Sequence, residues 1–132
     1  MSASIGHIAL IVRDPPRTAE LFASVLGAQV ILDRPDDEGH PQSFAKLGGV
    51  WFVLRQGDGP SGRNGDHIAL EVSHDDLRVC ADKLARFDVE HFMARQDRTL
   101  YFTDYDNHVF ELFAGGSIDQ ALSMHTTEGA TV

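Results

Sequence analysis

The tetrapeptide "HIAL" occurs twice in this chain, at residues 7–10 and again at residues 67–70. Around each copy the sequence pattern has the same order: a short strand, an amphipathic helix and three further strands. Internal similarity at one fixed distance indicates a duplicated structural unit. The sequence therefore predicts an α+β fold built of two βαβββ modules.

The duplication also predicts where the modules begin and end. We expect the first module over residues 4–56 and the second over residues 66–115, with a glycine-rich linker at 57–65 between them and a tail at 116–132. With 132 residues and 42% hydrophobic content, the chain is sufficient for one compact core, so we expect a single domain.

Each module contains one predicted helix. After the first strand, the residues "RDPP" at 13–16 predict a break, and the apolar spacing predicts a helix over residues 18–26 that ends at Gly27. The second helix is expected over residues 75–87. Its apolar stripe includes Cys80, which we expect to be buried.

Composition excludes several classes of function. The formal charge of -9 argues against nucleic acid, because binding to phosphates needs a basic surface. The single cysteine excludes an intramolecular disulfide framework, and the apolar run at residues 8–12 is too short to cross a membrane. We therefore expect a cytoplasmic protein whose partner is a small molecule, with no nucleic acid and no membrane.

Strand alternation assigns the two histidines to one kind of surface. In the first strand His7 shares a face with Ala9, whereas Leu10 shares the opposite, wholly apolar face with its neighbours at 8 and 12. His67 repeats this arrangement in the second module. The apolar faces should pack on the helices, and the histidine faces should line a cavity.

A second internal similarity lies in the last strand of each module: "VWFVL" at 50–54 in the first and "VFELF" at 109–113 in the second. In this pairing Phe52 and Glu111 occupy equivalent positions. Glu111 shares its face with apolar side chains, where an isolated carboxylate is costly unless it is paired or bound to a metal. Together, His7, His67 and Glu111 would suit a divalent cation such as Mn, Fe, Zn, Co or Ni, although ordinary structural histidines fit the pattern as well.

Four stretches carry a resemblance to a known family, and they are "GHIALIVRD", "GGVWFVLRQGD", "DHIAL" and "RTLYFTDYDNHVFELFAG". Through them the chain resembles the vicinal oxygen chelate superfamily, which includes glyoxalases, bleomycin resistance proteins and dioxygenases, and is most similar to the FosX-type fosfomycin resistance proteins. The resemblance implies a homodimer with exchanged strands, in which His7 of one copy completes a metal site with His67 and Glu111 of the other. It also implies a divalent metal ion, with Mn(II) favoured and Fe(II), Zn, Ni or Co as alternatives.

The same resemblance implies that water opens the epoxide of fosfomycin or a related phosphonate. It assigns five residues to the substrate: Thr99, Tyr101, Arg98, Phe44 and Trp51. The alternatives are another metal-dependent member, such as a lyase, isomerase or Fe(II) dioxygenase, and a non-catalytic drug-binding resistance protein.

Among the positions where this chain departs from the family, three bear on the reaction. Ala9 and Phe44 stand where the thiol-transferring members have threonine and tyrosine, so thiol transfer is disfavoured. Gln42 stands where the hydrolases have a glutamate base, and an amide cannot take up a proton from water in the required way. The catalytic base is therefore unassigned, with Glu38 and Gln42 as the candidates.

The other histidines lie in predicted turns, edge positions or the tail, and we expect all of them at the surface. They are His40, His74, His91, His108 and His125.

Overall fold

A computed structural model of the chain describes residues 1–116, 118–119 and 122–123. Most of the tail expected at 116–132, including His125, lies outside the described residues. The elements are, in order, β1 (His7–Val12), α1 (Pro15–Leu26), β2 (Gln29–Ile31), β3 (Gln42–Leu47), β4 (Val50–Gln56), β5 (His67–Glu71), α2 (His74–Arg86), β6 (His91–Ala94), β7 (Thr99–Thr103) and β8 (Val109–Phe113). Of the helices in this described part, none has the length and apolar character needed to cross a membrane.

The strands form two four-stranded sheets with the same topology. The orders are β1-β4-β3-β2 in the first sheet and β5-β8-β7-β6 in the second. In each sheet the first and last strands of the module pair in parallel, and the remaining pairs are antiparallel. The predicted α+β fold with two βαβββ units is confirmed.

Helix α1 begins earlier than the sequence pattern predicts. The expected break at residues 13–16 is confined to Arg13 and Asp14, because Pro15 and Pro16 form the first turn of the helix. Proline is tolerated there, since the first helical N–H groups need no partner within the helix. The carboxylate of Asp14 caps the turn by accepting a hydrogen bond from the Arg17 N–H at 3.2 Å. The helix ends as predicted at Gly27, whose φ of 71° lies in the left-handed region.

The apolar faces of the two sheets share one core. Phe22 of α1 contacts Phe52 of β4 and Phe110 of β8 edge to face, with ring centroids 5.9 and 5.2 Å apart. Because both apolar faces turn towards this core, the faces that carry His7 and His67 turn away from it. We call these the first open face, on the side of His7, and the second open face, on the side of His67.

The register of the sheets corrects one predicted equivalence. Phe52 lies beside Ile8 in the first sheet, and Phe110 lies beside Ile68 in the second. Phe52 therefore corresponds to Phe110, and the residue equivalent to Glu111 is Val53. The pairing of Phe52 with Glu111 is wrong by one residue, which matters because a shift of one residue moves a side chain to the opposite face.

Two buried aspartates of the β7–β8 turn form a polar network with the exposed Arg13 that follows β1. Asp104 Oδ1 accepts hydrogen bonds from the backbone N–H groups of Asp106 and His108 at 2.8 and 2.9 Å, and His108 Nδ1 lies 2.8 Å from Asp104 Oδ2. Asp106 in turn accepts a hydrogen bond from Arg13 Nε at 2.8 Å, which raises the pKa of Arg13 above its ordinary value. The network holds the first module against the second.

The prediction that the other histidines lie at the surface is confirmed only in part. His108 is wrongly predicted, because the carboxylate of Asp104 gives its ring a partner inside the protein and only 13% of the side chain is exposed. His74 is exposed at the start of α2, whereas His40 and His91 are half-buried.

Cys80 is buried as predicted, and its thiol donates to the carbonyl oxygen of Val25 at 3.2 Å. Burial is the main reason that the pKa of this thiol is raised. Because the thiolate is the reactive form, we expect a thiol-specific disulfide reagent to label the native protein only as fast as the structure opens. The measurement is the rate of labelling in buffer and in urea, and complete labelling of the native protein within the mixing time would contradict the prediction.

Candidate metal centre

His67 and Glu111 converge on the second open face. His67 begins β5, and Glu111 lies in the middle of the adjacent strand β8, directly beside Ala69. Alternation places both side chains on the same side of the sheet. The distance from His67 Nε2 to Glu111 Oε1 is 3.2 Å, and 11% of the Glu111 side chain is exposed against 41% for His67.

The hydrogen bonds of His67 determine which ring nitrogen can bind a metal. Its Nδ1 lies 3.0 Å from the carbonyl oxygen of Gly65, and a carbonyl oxygen can only accept, so Nδ1 carries the hydrogen. In a neutral imidazole, Nε2 then presents a lone pair to the carboxylate of Glu111. Two acceptors this close need a proton or a cation between them.

The geometry of the pair fits a divalent cation. Two ligand atoms at about 2.1 Å from one metal ion and at right angles to each other are about 3 Å apart, which is close to the observed separation. A ring fixed through its other nitrogen is the usual arrangement for a metal-binding histidine. Imidazole nitrogen and carboxylate oxygen are suitable ligands for Mn, Fe, Zn, Co and Ni.

Aromatic side chains surround this pair. Tyr101 of β7 lies directly beside Glu111 and contacts the His67 ring edge-on, with centroids 6.2 Å apart. Phe92 of β6 stacks on Tyr101 at 5.2 Å, with more than half of its surface exposed. Sequence reasoning missed Phe92. The aromatic residue in the strand that precedes that of Tyr101 was the signal that could have identified it, since the two residues are partners across β6 and β7.

Thr99 and Arg98 differ in their relation to the second open face. Thr99 lies on this face, two residues before Tyr101, and is buried. Arg98 lies just before the strand, and its Nε donates to the carbonyl oxygen of Arg95 at 3.4 Å. The structure therefore brings Thr99 and Tyr101 to one face with Glu111 and leaves Arg98 at the end of the strand.

His7 lies on the first open face, beside a cavity of about 420 Å³. The cavity is lined by Gly6, His7, Ile31, Arg34, Phe44, Trp51 and Val53. Sequence reasoning found three of these residues and missed Arg34, whose position after the short strand β2 carries no periodic signal. Within the described ranges, no three His, Cys, Asp or Glu side chains converge, so one chain does not bring His7 to His67 and Glu111.

The two candidate bases lie at the start of β3 and in the turn before it. Gln42 begins β3 and shares the first open face with Phe44 by alternation, and its backbone carbonyl oxygen accepts a hydrogen bond from the Arg34 backbone N–H at 3.0 Å. Glu38 lies in an exposed turn, where its N–H donates to Asp36 Oδ1 at 2.9 Å. No carboxylate lines the cavity beside His7 among the residues described.

The sequence model of the Glyoxalase/Bleomycin resistance protein/Dioxygenase superfamily matches residues 4–112 of this chain. The chain belongs to this superfamily. The match covers both βαβββ units except the last residue of β8, and it includes all three candidate metal ligands.

Several known proteins are similar to this chain over most of its length. The fosfomycin resistance protein FosX of Listeria innocua is 29% identical over 122 residues, which cover 87% of this chain and 92% of that protein. The metallothiol transferase FosB of Lysinibacillus sphaericus is 29% identical over 136 residues, covering 95% and 91%. A solved structure of a FosX variant from Listeria monocytogenes, complexed with Mn(II) and 1S,2S-dihydroxypropylphosphonic acid, has a TM-score of 0.78 and 30% identity, covering 92% of this chain and 99% of that one.

Proposed function

We propose that this protein is a metal-dependent enzyme that opens the epoxide of fosfomycin or a related phosphonate with water. The observation that carries the proposal is the pair of His67 Nε2 and Glu111 Oε1, which lie 3.2 Å apart in a geometry suited to a divalent cation. The similarity to FosX proteins, one of them bound to Mn(II) and a dihydroxypropylphosphonic acid, favours this substrate class.

We further propose that the site is completed in a homodimer. The two open faces point away from a shared core, and among the described residues no third His, Cys, Asp or Glu side chain joins His67 and Glu111. Another molecule or solvent can supply the missing ligand. In a dimer that places the first open face of one copy on the second open face of the other, His7 would supply this ligand. The chain would then act as one domain of two modules, in the cytoplasm, where a free thiol such as Cys80 stays reduced.

Several other residues of this chain would bind the substrate. A bound Mn(II) would act as a Lewis acid on the epoxide oxygen. Tyr101 and Thr99 can donate hydrogen bonds to the phosphonate from the face that carries Glu111, and Arg98 at the strand end can add a positive charge. Phe44 and Trp51 provide apolar contact for the carbon atoms and keep bulk water out of the cavity.

This chain departs from the family at the residue that would activate the attacking water. Gln42 on the first open face can orient water by hydrogen bonds, but its amide cannot act as a base. Glu38 could do so only if the exposed turn moved towards the site. We therefore expect slow hydrolysis, and Ala9 and Phe44 argue against thiol transfer as the alternative route.

The test is phosphorus NMR of the protein with Mn(II) and fosfomycin, in the presence and absence of glutathione. Conversion to the dihydroxy product without thiol is the expected result. Formation of a thiol adduct would contradict the hydrolytic proposal and favour a transferase. Bound Mn(II) with no conversion in either sample would overturn the proposed reaction and favour a lyase, isomerase or Fe(II) dioxygenase on the same scaffold.

A further inference from the structure

Arg34 is held at the wall of the cavity on the first open face by the hydrogen bonds of its loop. Its backbone N–H donates to the Gln42 carbonyl oxygen at 3.0 Å, and the preceding N–H, of Asp33, donates to Ser43 Oγ at 3.0 Å. Both bonds tie the loop after β2 to the start of β3. Among the described residues that line the cavity, Arg34 carries the one permanent positive charge.

The guanidinium of Arg34 has no carboxylate partner within the described part of the chain. Three other arginines form ion pairs: Arg13 with Asp106, Arg55 with Asp36, and Arg63 with Glu90. Arg34 precedes an acidic turn, yet its nearby carboxylate at Asp36 is already occupied by Arg55 and by the N–H groups of Glu38 and His40. In a protein of net charge -9, an unpaired arginine beside an apolar-walled cavity is available for an external anion.

The other walls of the cavity describe the rest of the ligand. Phe44 and Trp51 meet edge to face with centroids 6.3 Å apart, and Ile31 and Val53 extend the apolar surface. Lys46 lies 5.6 Å from the centre of the Trp51 ring and is not part of the lining. The volume of about 420 Å³ is within the range of about 300–1,000 Å³ that is typical of small-molecule sites.

We propose that this cavity binds an oxyanion attached to an apolar body of about the size of an aromatic ring, with Arg34 as the partner of the anion. A guanidinium is planar and presents paired N–H donors, so it suits phosphonate, phosphate and carboxylate groups. The proposal deepens the proposed function, on which it rests for the statement that this cavity belongs to the metal site. It names Arg34, on the first module, as a residue that determines substrate specificity.

The position of Trp51 allows a direct test, because it is the single tryptophan of the chain and lies in the cavity wall. Its fluorescence is followed while phenylphosphonate, benzoate or benzyl alcohol is added to metal-free and Mn(II)-loaded protein. We expect saturable binding of the two anions, and binding of neutral benzyl alcohol at least about tenfold weaker. Comparison of phenylphosphonate with benzoate distinguishes the two kinds of oxyanion.

Three variants make the test specific to Arg34. Arg34→Gln removes the charge and should raise the Kd for phenylphosphonate at least about tenfold, whereas Arg34→Lys should restore part of the affinity. Arg78→Gln makes the same change on the exposed surface of α2 and should leave the Kd unchanged. The Mn(II) stoichiometry and Tm of each variant show that the fold is intact.

Each outcome either supports or overturns the inference. Equal Kd values for wild type and Arg34→Gln, equal binding of benzyl alcohol, or no saturable binding of phenylphosphonate would overturn it. Phenylphosphonate has no epoxide, so its binding does not depend on the proposed reaction. If Arg34→Gln loses binding of phenylphosphonate and the wild type does not turn over fosfomycin, the inference is supported and the proposed function is refuted. If the wild type turns over fosfomycin and Arg34→Gln does so with an unchanged KM, the proposed function is supported and the inference is refuted.

Discussion

Replacement of Glu111 by Gln is expected to weaken Mn(II) binding at least about 100-fold while the protein stays folded. The amide keeps the shape of the side chain but removes the charge and the second anionic oxygen that a hard cation prefers. His67→Ala should have an effect of the same size, since it removes the nitrogen that lies 3.2 Å from the carboxylate. Isothermal titration with Mn(II), checked by electron paramagnetic resonance of the free ion, measures both losses.

Glu71→Gln is the matched control for this prediction. Glu71 is also a glutamate on the second open face, at the exposed end of β5, and it shares strand and face with His67. The same chemical change there should leave the affinity for Mn(II) unchanged. If Glu71→Gln weakens binding as much as Glu111→Gln does, the effect comes from the overall charge of this face and the assignment of the site is wrong.

Mixed dimers test whether the site is shared between two copies. We expect His7→Ala and Glu111→Gln each to eliminate tight Mn(II) binding in a homodimer. A dimer that combines one copy of each variant contains one site with both changes and one site with neither, if His7 acts in trans. Titration of the purified mixed dimer should therefore recover one tight site per dimer, and recovery of none would mean that each site is formed within a single chain.

The second large effect is expected on stability. Asp104→Ala should lower the free energy of unfolding by about 3 kcal/mol, because the side chain is fully buried and three donors lose their acceptor. Two of these donors belong to His108, and the third is the N–H of Asp106, whose carboxylate binds Arg13 of the other module. Urea unfolding followed by circular dichroism gives the value.

Two further variants qualify the stability prediction. Asp104→Asn retains an acceptor oxygen and should cost less than Asp104→Ala. Asp82→Ala removes an exposed aspartate from the surface of α2 and should change the stability by no more than about 0.5 kcal/mol. A loss of less than about 1 kcal/mol in Asp104→Ala would show that the polar network contributes little to joining the modules.

Local patterns were sufficient to predict much of this molecule. The repeated tetrapeptide and the alternation around it predicted two βαβββ units and the correct faces for His7 and His67, and both histidines are exposed while Leu10 is buried. The C-terminal end of α1 at Gly27 and the burial of Cys80 also followed from the sequence. These features depend on residues within a few positions of one another, where the period of the strand or helix decides which way a side chain points.

Other features depended on contacts between distant parts of the chain. The register of β8, which makes Val53 and not Phe52 the counterpart of Glu111, is determined by parallel pairing with β5. The half-buried position of His108 depends on the carboxylate of Asp104.

The sequence by itself therefore determined the two modules and the histidine on the open face of each. Only the tertiary structure decided that His67 meets Glu111 on one face while His7 and Arg34 lie beside a cavity on the other. The physical reason is that strand periodicity defines the two faces of one sheet. Which faces turn towards each other depends on how two sheets and two helices bury their apolar sides in one core.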